Sequence, residues 1–236
     1  MSHFHFKRFT INQSRTTLKV GTDAMLLGAF IKTNSPRFGL DVGAGTGVLS
    51  LMVAQNHSSI NIDSVEIDSK SFEDLQQNIT ESVFKNQINF FNIDFFTFQP
   101  NKKYDLIFSN PPFYDDGIKF NSEINFHPKH NVNFLKKDFF LKCIALLLSS
   151  GELWIIVPFD KSEKWIKEAL DLKLNLSKRI DLEAKPNNKV RTILVFSFIL
   201  PVKVEESIFV IRDQDGLYTN EYHILTNDFH NKRPIK

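Results

Sequence analysis

Three alternating glycines follow a short apolar segment in the stretch Phe38-Gly39-Leu40-Asp41-Val42-Gly43-Ala44-Gly45-Thr46-Gly47. The segment 38–42 predicts a buried strand, and the apolar run 48–55 after the glycines predicts a helix. Glycine lets backbone approach a ligand where a side chain would collide, and the N-terminus of a helix adds unpaired N–H groups. A dinucleotide fingerprint needs its third glycine at the sixth position, which is Val48 here. The spacing therefore argues against a pyrophosphate and for another ligand that contains adenosine.

Acidic residues stand near the ends of the next two predicted strands, 60–67 and 87–93. Glu66 lies 21 residues after Gly45, where a carboxylate can accept bonds from both hydroxyls of a ribose. Asp68 is the alternative ribose ligand, and Glu66 is preferred because it lies nearer the strand end. Asp94 follows the third strand and can accept a bond from an adenine amine. Together with the glycine loop, these acids predict an adenosine-type pocket.

The fourth predicted strand, 104–109, runs into Asn110-Pro111-Pro112-Phe113. Consecutive prolines fix φ and donate no backbone hydrogen bond, so the carbonyls of Asn110 and Pro111 become rigid acceptors beside the Asn110 amide oxygen. Two acceptors under the Phe113 ring suit a planar group that carries an NH2, such as adenine or a carboxamide. An ordinary strand-ending turn can have the same short sequence. The functional interpretation depends on four strand ends converging at one edge of an open α/β sheet, where ligands bind.

The bulk composition describes a protein with an ordinary core. At 236 residues and 42% hydrophobic content, the chain can bury the core of one domain. No run approaches the roughly 20 apolar residues of a membrane span, and no secretory signal is visible. The single cysteine, Cys143, allows no intramolecular disulfide, so a cytoplasmic location is expected. Net charge is only +2, yet residues 1–40 carry six cationic residues against one carboxylate, which allows a local basic face.

The remaining chain predicts further helices and strands without a dividing linker. Thr22 or Asp23 can cap an apolar helix over 24–31. A helix over 139–148 is expected to stop at Ser149-Ser150-Gly151, before a strand over 152–157. A helix over 161–172, strands over 174–180, 191–199 and 207–212, and a helix from about Asn220 follow. The whole chain, 1–236, is expected to be one domain, and a monomer is favoured.

The segment 114–134 predicts a polar loop that contacts substrate. His127 and His130 have the spacing of a metal pair, but the sequence offers no further ligand cluster and Pro128 breaks helical geometry. We therefore expect no metal.

These motifs, in this order and spacing, resemble the class I S-adenosylmethionine-dependent methyltransferases over residues 38–199. The resemblance implies an α/β, doubly wound, mostly parallel seven-stranded Rossmann-like sheet with one antiparallel strand. Residues 1–37 would then cover substrate and cofactor, and 200–236 would form a C-terminal extension. The resemblance also assigns groups near Asp41, Gly43, Gly45 and Gly47 to the methionine end of S-adenosyl-L-methionine, Glu66 to its ribose and Asp94 to its adenine.

A closer similarity lies upstream, in Phe9-Thr10, Lys19-Val20-Gly21-Thr22-Asp23 and Leu27-Gly28-Ala29. This pattern is similar to that of bacterial enzymes that methylate N6 of adenosine-37 beside the anticodon of a valine tRNA. Segments 210–212 and 218–222 extend the similarity over nearly the whole chain. It implies tRNA as the partner and S-adenosyl-L-homocysteine as a product. The catalytic residues would be Asn110, Pro111, Pro112 and Phe113, where the family often has tyrosine in place of Phe113.

Two further groups of residues are expected to bind ligands. Lys19, Thr22, Asp23 and Asn110 join the cofactor-binding residues. Contacts to tRNA are expected from Arg8, Arg15, Tyr114, Lys129, Lys189 and Arg191.

Three other functions stay open on sequence grounds. A carboxamide fits the same acceptors, so a protein N5-glutamine methyltransferase is the nearest alternative. That class usually has a separate N-terminal helical domain, for which 38 residues leave little room. A ribosomal-RNA guanine-N2 methyltransferase and a cofactor-binding RNA-binding module without turnover are the others.

Overall fold

The computed structural model describes residues 3–16, 19–111 and 136–230. Its strands are β1 (His3–His5), β2 (Thr10–Asn12), β3 (Phe38–Val42), β4 (Asn61–Glu66), β5 (Ile88–Asn92), β6 (Tyr104–Ser109), β7 (Leu147–Pro158), β8 (Asn175–Glu183), β9 (Lys189–Ser197) and β10 (Glu205–Val210). Its α-helices are α1 (Thr22–Phe30), α2 (Val48–Asn56), α3 (Ser69–Thr80), α4 (Lys136–Leu146), α5 (Ser162–Asp171) and α6 (Asn220–Thr226).

Eight of the strands form one sheet in the order β10-β8-β9-β7-β6-β3-β4-β5. Neighbours are parallel except around β9, which is antiparallel to both β7 and β8. The predicted mostly parallel sheet with one antiparallel strand is therefore confirmed. The C-terminal strand β10 adds an eighth strand to the seven, parallel to β8.

The chain reverses its direction of travel across the sheet between β3 and β6. From β3 it moves outward through β4 and β5, then returns to β6 on the other side of β3. Such a switch point opens a crevice outside the carboxyl ends of the two central strands. The glycine loop follows β3 and Asn110 follows β6, so the fold places both motifs at this crevice.

Helices cover both faces of the sheet, which explains why the central strands are almost continuously apolar. Leu106 and Phe108 of β6 belong to a buried cluster with residues of α1, α2 and α3. Ile107, between them, belongs to the cluster on the opposite face with residues of α4 and α5. Among the residues that the structure describes, no helix is both long and apolar enough to cross a membrane.

The start of α1 corrects a prediction. The helix begins at Thr22, with Gly21 as its N-cap, and no side chain caps it. Thr22 and Asp23 are therefore residues of the first turn and not caps. The prediction of a side-chain cap was wrong because the helix starts two residues before the apolar run from which it was predicted.

The end of α4 is also different from the prediction. The helix ends at Leu146, and Ser149, Ser150 and Gly151 lie within β7. The pairing of β7 with β6 shifts register between Tyr104 and Leu106, which accommodates these extra residues. A Cβ at Gly151 would lie 2.9 Å from the Tyr104 carbonyl oxygen. The serines and glycine thus mark an irregular strand, which their turn-like composition concealed.

Candidate active site

All three glycines of the loop after β3 have left-handed backbone conformations. The φ angles are 71° at Gly43, 56° at Gly45 and 82° at Gly47. A Cβ added at Gly43 or Gly45 would meet no atom within 4 Å, whereas one at Gly47 would lie 2.6 Å from Cδ1 of Leu75. The first two glycines therefore border open space, and the third packs against α3.

Four amides of the loop are bonded to other groups of the protein. The N–H groups of Gly43 and Ala44 donate to the Val65 carbonyl, both at 3.0 Å, and that of Gly47 donates to the Ala44 carbonyl at 2.8 Å. The Gly45 N–H donates to Oε2 of Glu66 at 2.7 Å. A phosphate cradle needs free N–H groups, so this geometry supports the sequence argument against a pyrophosphate. A ligand with positive charge suits the neighbouring carboxylates better.

Asp41 is a fully buried carboxyl behind the loop. Its Oδ2 accepts bonds from the amide and hydroxyl of Ser50, at 3.1 and 2.6 Å, and so caps the first turn of α2. Its Oδ1 is buried without a hydrogen-bond partner in the described part of the chain. Burial raises the pKa of Asp41 to about 7, with a further increase from the Glu66 charge, against the opposing effect of the Ser50 bonds. The site therefore contains a proton that is released near neutral pH.

Glu66 and Asp68 have different structural roles. Both oxygens of Glu66 are held by backbone, with Oε1 accepting from the Asp68 amide at 2.8 Å and Oε2 from Gly45. Burial raises the pKa of Glu66, while these amide bonds lower it. Oδ2 of Asp68 instead accepts from the amide and hydroxyl of Ser71, both at 2.8 Å, and caps α3. This division supports Glu66 over Asp68 as the ribose ligand, because only Glu66 contacts the glycine loop.

Asp94 lies at the same edge of the sheet, two residues after β5. Its Oδ1 accepts from the Phe96 amide at 2.9 Å, and its carbonyl accepts from the amides of Thr97 and Phe98. The side chain is half-buried. Its position after the strand next to β4 is the one expected of an adenine acceptor, and it stays a prediction.

Asn110 stands beside the glycine loop. Ser109 lies opposite Val42 in the parallel pairing of β6 with β3, so the residues that follow each of them are neighbours. Asn110 is half-buried, and its Oδ1 is buried without a partner among the described residues. Pro111 is buried next to it. The other predicted residues of this region, Pro112, Phe113, Tyr114, Lys129 and the His127 and His130 pair, lie outside the described residues.

The upstream cofactor-binding candidates contact other parts of the protein. The Lys19 ammonium donates to the carbonyl of Gln13 and, at 3.5 Å, to that of Thr16. Thr22 is exposed in the first turn of α1. Asp23 forms an ion pair with Arg191, with 2.7 Å between Oδ2 and Nε. Their contact with the cofactor therefore remains a prediction.

Three of the predicted tRNA-binding cations are paired with carboxylates. Arg15 lies 3.0 Å from Asp74 and 3.1 Å from Glu73, Lys189 lies 2.9 Å from Asp181, and Arg191 pairs with Asp23. The Arg8 guanidinium instead lies over the Phe84 ring, 4.8 Å from its centroid. These cations carry less net attraction for phosphate than the sequence suggested, since acids balance most of them.

Two polar residues of α3 escaped the sequence reasoning. Asp74 and Asn78 are buried and hold the segment that follows β2. The sequence does contain a pattern that could have indicated them. Ser71, Asp74 and Asn78 are spaced three and four residues apart, so they share one side of a helix. All three are buried, which a solvated polar stripe would not be.

Comparison with known proteins agrees with this geometry. The methyltransferase small domain family matches residues 13–176. A protein of Flavobacterium psychrophilum named tRNA1(Val) (adenine(37)-N6)-methyltransferase is 35% identical over 97% of this chain and 99% of its own length. A protein of Parabacteroides distasonis with the same name is 32% identical over 98% of both chains.

Solved structures show the same fold at much lower identity. A protein from Agrobacterium tumefaciens, named as a predicted O-methyltransferase, superposes with a TM-score of 0.67 at 17% identity, covering 88% of this chain and 96% of its own. The TYW2 protein of P. horikoshii, solved with MeSAdo, superposes at 0.56 with 13% identity, covering 80% of this chain and 67% of its own. The chain therefore belongs to the methyltransferase small domain family and, within it, groups with the tRNA1(Val) (adenine(37)-N6)-methyltransferases.

Proposed function

We propose that this chain transfers the methyl group of S-adenosyl-L-methionine to N6 of adenosine-37 in a valine tRNA. Relatives that are 30–35% identical over nearly their full length share that name. The structural observation that carries the proposal is the buried Oδ1 of Asn110 beside the open glycine loop, which has no hydrogen-bond partner among the described residues. A buried acceptor without a partner costs about 1–3 kcal/mol, and a bound amino group would remove that cost.

The chemistry needs orientation more than it needs a base. The lone pair of an adenine amine is delocalised into the ring, so the amine is a poor nucleophile. Hydrogen bonds from the NH2 group to Oδ1 of Asn110 and the Pro111 carbonyl would favour pyramidal nitrogen and turn its lone pair toward the methyl donor. The bound cofactor supplies an electrophilic methyl group on a sulfonium, which is a good leaving group. The N6 proton leaves to solvent after attack, so no ionised base is required at the nitrogen.

The cofactor would lie across the carboxyl ends of β3, β4 and β5. Asp41 and the loop carbonyls suit its positively charged methionine end, Glu66 its ribose and Asp94 its adenine. Good alignment of donor and acceptor can lower the barrier by roughly 7–11 kcal/mol. Phe113 would stack on the target base, an interaction worth about 1–3 kcal/mol.

The tRNA would approach the same edge of the sheet. An anticodon-loop base is partly unpaired, so turning it into the crevice costs at most about a few kcal/mol. Arg8 is the described cation that best suits a phosphate contact, because the other described candidates, Arg15, Lys189 and Arg191, are ion-paired. Residues 1–37 would cover the ligands, 38–199 would form the catalytic core and 200–236 would extend it.

The deciding experiment combines the purified protein, labelled S-adenosyl-L-methionine and unmodified tRNA1(Val), followed by digestion and nucleoside chromatography. Label should elute as N6-methyladenosine, and a transcript with guanosine at position 37 should take up none. Label in N2-methylguanosine would indicate the guanine chemistry instead. Label in a glutamine of a release-factor-like protein, with none in RNA, would replace the proposal by carboxamide methylation.

A further inference from the structure

Asn78 joins the glycine loop to the N-terminal segment. Its Nδ2 donates to the Asn12 carbonyl at 2.8 Å and to the Thr46 carbonyl at 2.9 Å. Its Oδ1 accepts from the Asn12 amide at 2.7 Å. Thr46 lies between Gly45 and Gly47, and Asn78 is only 2% exposed. One buried side chain thus fixes backbone groups of two segments that are more than thirty residues apart.

Asp74, one helical turn earlier on α3, holds the same N-terminal segment at its other end. Its Oδ2 accepts from the amides of Arg15 and Thr16, both at 2.9 Å, and its Oδ1 pairs with the Arg15 guanidinium at 3.0 Å. Asp74 is fully buried, and its hydrogen bonds within the described part of the chain go to residues 15 and 16 and not to the glycine loop. Asn78 and Asp74 thus hold opposite ends of residues 12–16, and among the described side chains of α3 that hold this segment, only Asn78 also bonds to the loop.

Buried hydrogen bonds of this kind make two segments depend on each other. An amide group that must satisfy two carbonyls holds them at a fixed separation, and moving either one leaves a buried polar group unpaired. A ligand that orders the loop therefore also favours the anchored form of the segment, and the reverse holds by thermodynamic linkage.

We infer that Asn78 is a positioning residue through which cofactor binding at the glycine loop and anchoring of residues 12–16 reinforce each other. The inference rests on the cofactor assignment of the proposed function. It goes beyond that function because it gives α3 a role in coupling the N-terminal segment to the cofactor site.

The test compares three variants with the wild-type protein. Asn78→Asp keeps an acceptor for the Asn12 amide. It replaces the donating Nδ2 by an oxygen, which cannot donate a hydrogen bond to the carbonyls of Asn12 and Thr46. Asp74→Asn loosens the segment without touching the loop. Gln76→Ala is the matched control, because Gln76 is exposed on the same helix and its side chain holds neither residues 12–16 nor the loop in the described part of the chain.

Two readouts separate coupling from a general loss of stability. The first readout is the affinity for S-adenosyl-L-homocysteine, measured by calorimetry. It is compared with the KM for S-adenosyl-L-methionine and the kcat, measured by enzyme kinetics. We expect Asn78→Asp and Asp74→Asn to weaken affinity and raise KM about tenfold with kcat within about threefold of wild type, and Gln76→Ala to change neither. The second is the rate of tryptic cleavage after Arg15. S-adenosyl-L-homocysteine should slow this cleavage in the wild type, in Gln76→Ala and in Asp74→Asn, which keeps the Asn78 link, but not in Asn78→Asp.

Equal ligand protection of Arg15 in the wild type and in Asn78→Asp would overturn the coupling. If Asn78→Asp does not fold, an unchanged cofactor affinity in Asp74→Asn, together with faster cleavage after Arg15 in that variant, would overturn it. Unchanged cofactor affinity in both variants would overturn it as well. The cofactor assignment itself fails if the wild-type protein binds no S-adenosyl-L-homocysteine. Absence of tRNA methylation with normal binding would count only against the proposed substrate, because the binding and cleavage readouts need no RNA.

Discussion

The Ser109 hydroxyl donates to the Val42 carbonyl at 2.7 Å, which ties the last residue of β6 to the last residue of β3. The glycine loop begins after Val42 and the Asn-Pro motif begins after Ser109. This buried bond reinforces the β3–β6 pairing, which sets the level at which the two motifs face each other. Reaction geometry at such a site is sensitive to shifts of about 1 Å.

Asn110→Ala should remove turnover while leaving the cofactor site intact. The substitution deletes an acceptor that has no partner among the described residues, and it leaves the hydrogen bonds of the glycine loop in place. We expect kcat to fall by roughly 100-fold or more, in line with the loss of one group that acts mainly in the transition state. Calorimetry with S-adenosyl-L-homocysteine should give a near-normal Kd. A loss of affinity as large as the loss of rate would contradict the assignment of Asn110 to the target amine.

Substitutions of Glu66 and Asp68 should separate the ribose ligand from a helix cap. Glu66→Ala removes the carboxylate that contacts Gly45, so affinity for S-adenosyl-L-homocysteine should fall about tenfold or more. Asp68→Ala removes the cap of α3 and should lower the free energy of unfolding by about 1 kcal/mol with little change in affinity. Calorimetry and urea unfolding of both variants measure the two effects. The opposite pattern would identify Asp68 as the ligand.

The raised pKa of Asp41 predicts a pH dependence with a definite sign. Because burial raises this pKa to about 7, the folded protein keeps a proton that the unfolded chain releases near pH 4. Its contribution to stability is full below about pH 4 and is lost as pH rises through about 7, by up to about 4 kcal/mol. Urea unfolding at pH 5 and pH 8 should show the decrease, and Asp41→Asn should reduce it. The same pH dependence in the wild type and in Asp41→Asn would refute a buried, protonated Asp41, because the comparison removes the opposite contribution of half-buried histidines such as His57.

The same carboxyl should couple cofactor binding to proton release. A positively charged ligand favours the ionised form of Asp41, so affinity should increase as pH rises through about 7. Calorimetric titrations near neutral pH, in two buffers with different ionisation enthalpies, should report release of a fraction of a proton. The Asp41→Asn variant, if folded, serves as the control and should lack that fraction.

Alanine at Gly43 and at Gly47 should have different consequences. Both positions have positive φ, which costs about 1–2 kcal/mol for alanine. At Gly47 the new methyl would also collide with Leu75, adding about 1–3 kcal/mol. At Gly43 the methyl would enter open space that we assign to the cofactor, so affinity should fall more than stability. Thermal unfolding and calorimetry compare the two variants, and equal effects on affinity would argue against a ligand beside Gly43.

Local sequence patterns were enough to predict the class of fold and to place the candidate site residues at one edge of the sheet. Residues 38–42 and 104–109 match the observed strands, because apolar runs that end at glycine or proline have few alternative structures. Gly45, Glu66, Asp94 and Asn110 stand at or just after the ends of four strands, β3, β4, β5 and β6, which lie side by side in the sheet. The family implied by these motifs is confirmed by the comparisons.

Tertiary structure alone decided how those residues are used. Arg191 was expected at a phosphate, yet it pairs with Asp23, 168 residues away in the chain, and periodicity carries no information about such a contact. Burial raises the pKa of Asp41 because the packed elements around it exclude water. Asn78 became a link between two segments only when α3 packed against both. The sequence by itself determined which chemical groups stand at the strand ends. Packing determined the charge of those groups and the backbone segments to which they bond. The reason is that hydrogen bonding and desolvation depend on neighbours that are distant in the chain.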